Sequence, residues 1–91
     1  LFMEAMAAQA QQSGFNEQEA RLLVQQTALG AANMVVANPD TSLSELRARV
    51  TSKGGTTAEA IRRFQEQGLE QLVADAMAAA VARARELETQ L

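Results

Sequence analysis

Ninety-one residues carrying a formal charge of −3 make one small domain at most, and the acidic balance argues against non-specific nucleic-acid binding. Apolar residues are 47% of the chain, but much of that is alanine, with three Phe and no Trp or Tyr. Such a core buries little area per residue and needs many helices in contact, preferably with a second chain.

The absence of Cys and His excludes disulfides, thiol nucleophiles, zinc sites of the Cys/His type and any His-based acid–base relay. From Leu1 to about Gln12 the apolar positions Phe2, Met3, Met6, Ala7 and Ala10 recur at helical spacing. The opening has no basic n-region of a signal peptide, and no stretch approaches the roughly 18 apolar residues of a membrane span. Leu1 stands inside a helical pattern with no cap before it, which reads as a piece cut from something longer.

Ser13-Gly14 ends the first helix, Gly14 being the natural left-handed stop. Asn16 with Glu19 has the spacing of a capping box, which starts a second helix from about Glu17 to Ala37. Its apolar and small residues, among them Ala20, Leu23, Val24, Ala28, Ala31, Met34 and Val35, cover more than one stripe. A helix of that kind is expected to be buried on several sides, which a monomer of this size can hardly arrange. Gly30 in its middle fits a close helix–helix approach.

Pro39 forbids continuation, and Asn38-Pro39-Asp40 is a turn. Ser42 with Glu45 also has the spacing of a capping box, opening a short helix through about Val50. A fourth helix is expected from Thr57 to Gln67, with Ile61 and Phe64 inward, and Gly68 breaks it. The last runs from about Leu69 to Leu87, with Leu72, Val73, Ala76, Met77, Ala80, Val81, Ala84 and Leu87 along one stripe and Arg83, Arg85, Glu86 and Glu88 at a solvated end. Met3, Met6, Met34 and Met77 read as core fillers. No strand signal appears.

Between the third and fourth helices lies the polar loop Val50-Thr51-Ser52-Lys53-Gly54-Gly55-Thr56-Thr57. Adjacent glycines permit positive φ and close approach of a ligand to the main chain. Thr56 with Glu59 has capping-box spacing, which would leave the Thr57 and Ala58 amides at the positive end of a helix, a place for a carboxylate or phosphate. The plainer alternative is a well-capped connection without a ligand. Arg47/Arg49 and Arg62/Arg63 are most simply solvated helix faces. Composition and periodicity thus lead to an all-α domain of five helices, expected to oligomerise, with one candidate anion site. They name no substrate.

The stretch from Leu43 to Gln65 resembles the signature segment of pyrroline-5-carboxylate reductases, the last enzymes of proline biosynthesis. The likeness lies in Leu43, Leu46 and Val50 leading into Thr51-Ser52, then Gly54-Gly55-Thr56-Thr57, followed by Ala60-Ile61, Phe64 and Gln65. Phe2-Met3-Glu4-Ala5-Met6, Gln26-Thr27-Ala28-Leu29-Gly30-Ala31-Ala32 and Gly68-Leu69 resemble further parts of that family, so the match spans essentially all 91 residues. Lys53 departs from it, many members carrying proline there.

The resemblance implies an all-α, five-helix C-terminal dimerisation domain, 6-phosphogluconate-dehydrogenase C-terminal-like and interleaved with a partner subunit. It implies a homodimer, in a family whose dimers often assemble further, commonly into decamers, and a cytoplasmic enzyme with no nucleic-acid or membrane partner. The family's Rossmann domain, which binds NADP or NAD, has no counterpart in this chain. No cofactor-binding or metal-ligating residue is therefore expected in it, and these residues alone are expected to be inactive.

The implied reaction reduces 1-pyrroline-5-carboxylate to L-proline. By the same resemblance Ser52, Gly55, Thr56 and Thr57 hold the substrate carboxylate, Val50 lines the pocket beside the ring, and Thr57 is the catalytic candidate, placed near the ring nitrogen. A Lys53 ammonium would help attract an anion. Two other readings fit the helices: a dimerisation module without catalytic role, and a related Rossmann-type reductase of imines or hydroxy acids.

Overall fold

The computed structural model describes residues 1–90, most of them in five α-helices: α1 (Phe2–Gln12), α2 (Glu17–Ala37), α3 (Leu43–Arg49), α4 (Thr56–Glu66) and α5 (Leu69–Gln90). No strand occurs among the described residues, so the all-α expectation holds. The chain divides into two compact units, Leu1–Arg47 and Ala48–Leu91.

In the first unit α1 packs against α2. Gly14, at φ 112°, stops α1, and α2 opens with a complete capping box. The Asn16 side chain accepts from the Glu19 amide at 2.9 Å, and Glu19 Oε1 accepts from the Asn16 amide at 2.9 Å. Two of the four orphan donors of that helix end are thereby satisfied. At α3 only half of the expected box forms: Ser42 Oγ accepts from the Glu45 amide at 3.2 Å, with no return bond from Glu45. Among the described residues Ala20 and Val24 of α2 and Leu46 of α3 are the buried apolar ones. Gly30 has open space where a Cβ would lie, so no close approach within one chain explains it.

In the second unit α4 packs against α5 across the Gly68 break, and neither helix buries a residue. Ile61 is half-buried and Phe64 is more exposed, so the inward face expected of α4 is only partly covered. The methionine expectation is corrected in the same way. Met6 and Met34 are half-buried, whereas Met3 and Met77 are exposed, because packing within one chain leaves both side chains incompletely covered. α5 runs on to Gln90, three residues beyond the expected Leu87. No helix among the described residues is long and apolar enough to cross a membrane.

Candidate functional site

α3 ends where the Thr51 amide donates to the Ala48 carbonyl at 3.2 Å, leaving Val50 exposed at the head of the loop. The chain then reverses. The Gly55 amide donates to the Ser52 carbonyl at 2.9 Å, closing a four-residue turn over Lys53 and Gly54. Gly54 takes φ 73°, the left-handed conformation that marks the third position of a type II turn and that L-residues with a Cβ avoid. Gly55 does not share it: at φ −86° and ψ 180° it is extended, and its missing Cβ serves close approach instead. A Cβ on Gly55 would meet Ser52 at 3.1 Å.

This turn changes how α4 begins. Gly55, not Thr56, is the N-cap, and its carbonyl accepts the first helical bond from the Glu59 amide at 3.2 Å. The expected Thr56–Glu59 capping box is absent. Thr56 is already the first helical residue, and the Glu59 carboxylate is taken by arginines one turn further on. Arg62 binds Glu59 through Nε at 3.1 Å and through Nη2, and Arg63 Nε stands 3.6 Å away. Arg62 also bridges to Glu66. Its hydrogen bonds to Glu59 first and Glu66 second hold the guanidinium pKa above its ordinary value. Arg62 and Arg63 are thus the solvated helix face expected, committed to neighbouring carboxylates.

The consequence for the loop is chemical. With no side chain at the cap, the amides of Thr56, Thr57 and Ala58 have no protein acceptor among the described residues. Glu59, the acidic residue of the first turn, would repel an anion, but its charge is balanced by Arg62 and Arg63. A helix start with free amides, positive dipole end and two adjacent hydroxyls suits a small carboxylate. Thr56, Thr57, Ser52 and Lys53 are exposed, and Gly55 and Ala58 are half-buried.

Of the five binding candidates, Ser52, Gly55, Thr56 and Thr57 fall within one turn and one helix start of the second unit, and Val50 stands two residues before that turn. Gly55 as the cap is what the sequence reading missed. The dipeptide Lys53-Gly54 at the centre of a type II turn was the available signal, since that turn delivers the chain to the helix one residue earlier. No group of acidic residues able to hold a metal occurs among the described residues.

A family profile described as pyrroline-5-carboxylate reductase dimerisation matches residues 1–87. The chain is 67% identical over 88 residues to a pyrroline-5-carboxylate reductase of Vibrio alginolyticus, covering 97% of this chain and 32% of the relative. It is 45% identical over 91 residues to that of Pseudomonas aeruginosa, covering 100% and 33%. A solved pyrroline-5-carboxylate reductase structure from Coxiella burnetii superposes with TM-score 0.88 at 44% identity, over 94% of this chain and 32% of that one. The chain spans about a third of the length of the curated relatives it matches.

Proposed function

This chain belongs to the pyrroline-5-carboxylate reductase dimerisation family, and from that membership we propose that its 91 residues act as one dimerisation and substrate-binding domain of such a reductase. The parent protein reduces 1-pyrroline-5-carboxylate to L-proline in the cytoplasm. The observation that carries the substrate half of this reading is the uncapped start of α4 beneath the Ser52–Gly55 turn.

In this reading the substrate carboxylate lies at the amides of Thr56, Thr57 and Ala58, with the Ser52 and Thr56 hydroxyls completing its hydrogen bonds. Gly55 keeps the backbone bare for that approach, and Val50 offers an apolar wall to the ring. The Thr57 hydroxyl faces the imine nitrogen and orients it. A threonine hydroxyl is too weak an acid to protonate an imine unaided, so Thr57 polarises and positions, and the proton arrives through water. Fixing the carboxylate fixes the ring, which is the protein's share of the rate.

NADP or NAD supplies the hydride when bound. The described residues contain no strand–turn–helix unit of the kind that binds a dinucleotide, so no residue of this chain is assigned to it. The partner in this reading is a second copy of the chain, with further assembly of dimers up to decamers.

The test is oxidation of NADPH and NADH by the full-length parent with 1-pyrroline-5-carboxylate, with proline measured as product. Turnover to proline supports the reading. A folded, cofactor-binding parent that leaves this substrate untouched points to a related reductase of other imines or of hydroxy acids.

A further inference from the structure

The geometry points to Arg62 and Arg63 as positioning residues: they hold the Glu59 carboxylate off the start of α4, where it would otherwise compete with a bound carboxylate for Thr56. The inference rests on the substrate-site reading above, which names the ligand of that helix start but not what keeps the place open.

Glu59 has two sets of partners within reach, one on either side. Its spacing from Thr56 is that of a capping box, in which a glutamate reaches three residues back to a free amide. Helical side chains lean toward the N-terminus, so nothing in the helix itself opposes that reach. A completed Thr56–Glu59 box would use up two groups that the site needs, the Thr56 amide and the Thr56 hydroxyl. In the other direction stand Arg62, three residues on, and Arg63, four residues on, both at distances where helical side chains meet.

The second direction wins. Arg62 donates to one Glu59 oxygen through Nε at 3.1 Å and to the other through Nη2, the two-bond fork that suits a carboxylate best. Arg63 Nε stands 3.6 Å from the same carboxylate. Arg62 Nη1 bridges onward to Glu66, which anchors the fork from its far side.

The first unit supplies a comparison. Glu19 has the same spacing from Asn16, but the residues three and four places after it are Leu22 and Leu23. With no arginine to hold it, Glu19 does reach back and accepts from the Asn16 amide at 2.9 Å. The contest at Glu59 is close. A cap shifts an equilibrium about two- to thirtyfold, and each exposed helix pair about 1.5- to twofold, so two arginines and a fork are enough to decide it and their loss enough to reverse it.

The experiment compares the full-length parent with its Arg62→Gln/Arg63→Gln variant, both arginines being exposed. The KM for 1-pyrroline-5-carboxylate is expected to rise about two- to tenfold while kcat stays within about twofold, because only the fraction of open sites falls. Arg62→Lys/Arg63→Lys keeps both charges near Glu59 and is expected to keep the parent KM. Adding Glu59→Ala to the glutamine pair removes the competitor and is expected to bring KM back to within about twofold of the parent. Adding Glu59→Asp instead keeps the charge but falls one methylene short of the Thr56 amide, and KM is expected to fall back as well. A second readout needs no substrate. Hydrogen–deuterium exchange at single-residue resolution is expected to show the Thr56 amide slowed in the glutamine pair and restored to the parent rate by Glu59→Ala.

An unchanged Thr56 exchange rate or an unchanged KM in the glutamine pair would overturn the inference. So would a KM that stays raised after Glu59→Asp, since charge alone would then be acting. A parent that leaves 1-pyrroline-5-carboxylate untouched overturns the reductase reading, and the Thr56 exchange rates still support or overturn the clamp on Glu59.

Discussion

Ser52 and Gly55 are locked together: the Gly55 amide donates to the Ser52 carbonyl at 2.9 Å, and a Cβ on Gly55 would stand 3.1 Å from the Ser52 Cβ and 3.2 Å from the same carbonyl oxygen. The oxygen cannot retreat without lengthening the bond that closes the turn. At φ −86° the Gly55 backbone suits any residue, so the cost of a side chain comes from contact alone. Gly55→Ala is expected to lower stability by about 1–3 kcal/mol, the usual range for overpacking. Adding Ser52→Gly removes one of the two close contacts and should restore part of that loss in chemical denaturation. Gly55→Val in the full-length protein should also weaken binding of a carboxylate analogue at least roughly tenfold. Unaltered affinity would remove Gly55 from the pocket.

Gly54 and Lys53 make the complementary case, where conformation decides and contact does not. No atom lies within 4 Å of a Cβ at Gly54, but its φ is 73°. Gly54→Ala is expected to cost about 1–2 kcal/mol through left-handed backbone strain. Lys53 precedes it in the second position of the turn, where proline is favoured. Lys53→Pro is expected to raise stability by about 0.4–1 kcal/mol, by narrowing the unfolded ensemble. Thermal or urea midpoints of both variants check the pair, and a destabilising proline would show that Lys53 does not have the φ of a type II turn.

Thr57 tests the chemistry apart from the fold. Its hydroxyl has no hydrogen-bond partner in the chain among the described residues, and its side chain is exposed. Thr57→Ala should therefore leave the denaturation midpoint within about 0.5 kcal/mol of the parent. In the full-length enzyme it should lower kcat/KM by roughly ten- to a hundredfold, as for one positioned hydrogen bond to a charged or polarised group. Thr57→Ser keeps the hydroxyl and should keep most of the activity. Equal losses in both variants would argue for a packing role of the methyl group instead.

Helix number and placement were legible because the stops and starts are local. Gly14, Pro39 and Gly68 interrupt the helical pattern wherever the tertiary context puts it, and Asn16 with Glu19 forms its box from residues one turn apart. The same spacing failed at Thr56 because Glu59 had competing partners, Arg62 and Arg63, on its own helix face. Those arginines were visible in the sequence, but which of two local claims on one carboxylate prevails depends on how the turn enters the helix. The α5 stripe shows a different limit. Leu72, Met77 and Val81 read as buried from their spacing, and one chain leaves them open. Periodicity reports that a face is apolar and carries nothing about whose atoms cover it. The Gly54–Thr57 turn and helix start were legible in position, and the proposal that they hold a substrate carboxylate rests on the family.

The three candidate capping boxes form to different extents, which gives a graded prediction from one substitution type. Asn16 and Glu19 exchange two bonds at 2.9 Å, Ser42 accepts one from Glu45 at 3.2 Å, and Thr56 caps nothing. Loss of a working N-cap costs about 0.5–2 kcal/mol. Asn16→Ala is expected near the middle of that range, at about 1 kcal/mol or more, since it also leaves the Glu19 carboxylate without the ordered turn that holds it. Ser42→Ala should fall near the lower limit, about 0.5 kcal/mol, because its single bond is longer and its helix is only seven residues. Thr56→Ala should be neutral or slightly stabilising, alanine being the better helix former at a first-turn position that makes no cap. Urea midpoints of the three variants at one fixed protein concentration give the order directly. If Thr56→Ala ranked with Asn16→Ala, Thr56 would be the N-cap after all, and the free amides beneath the Ser52–Gly55 turn would be one fewer.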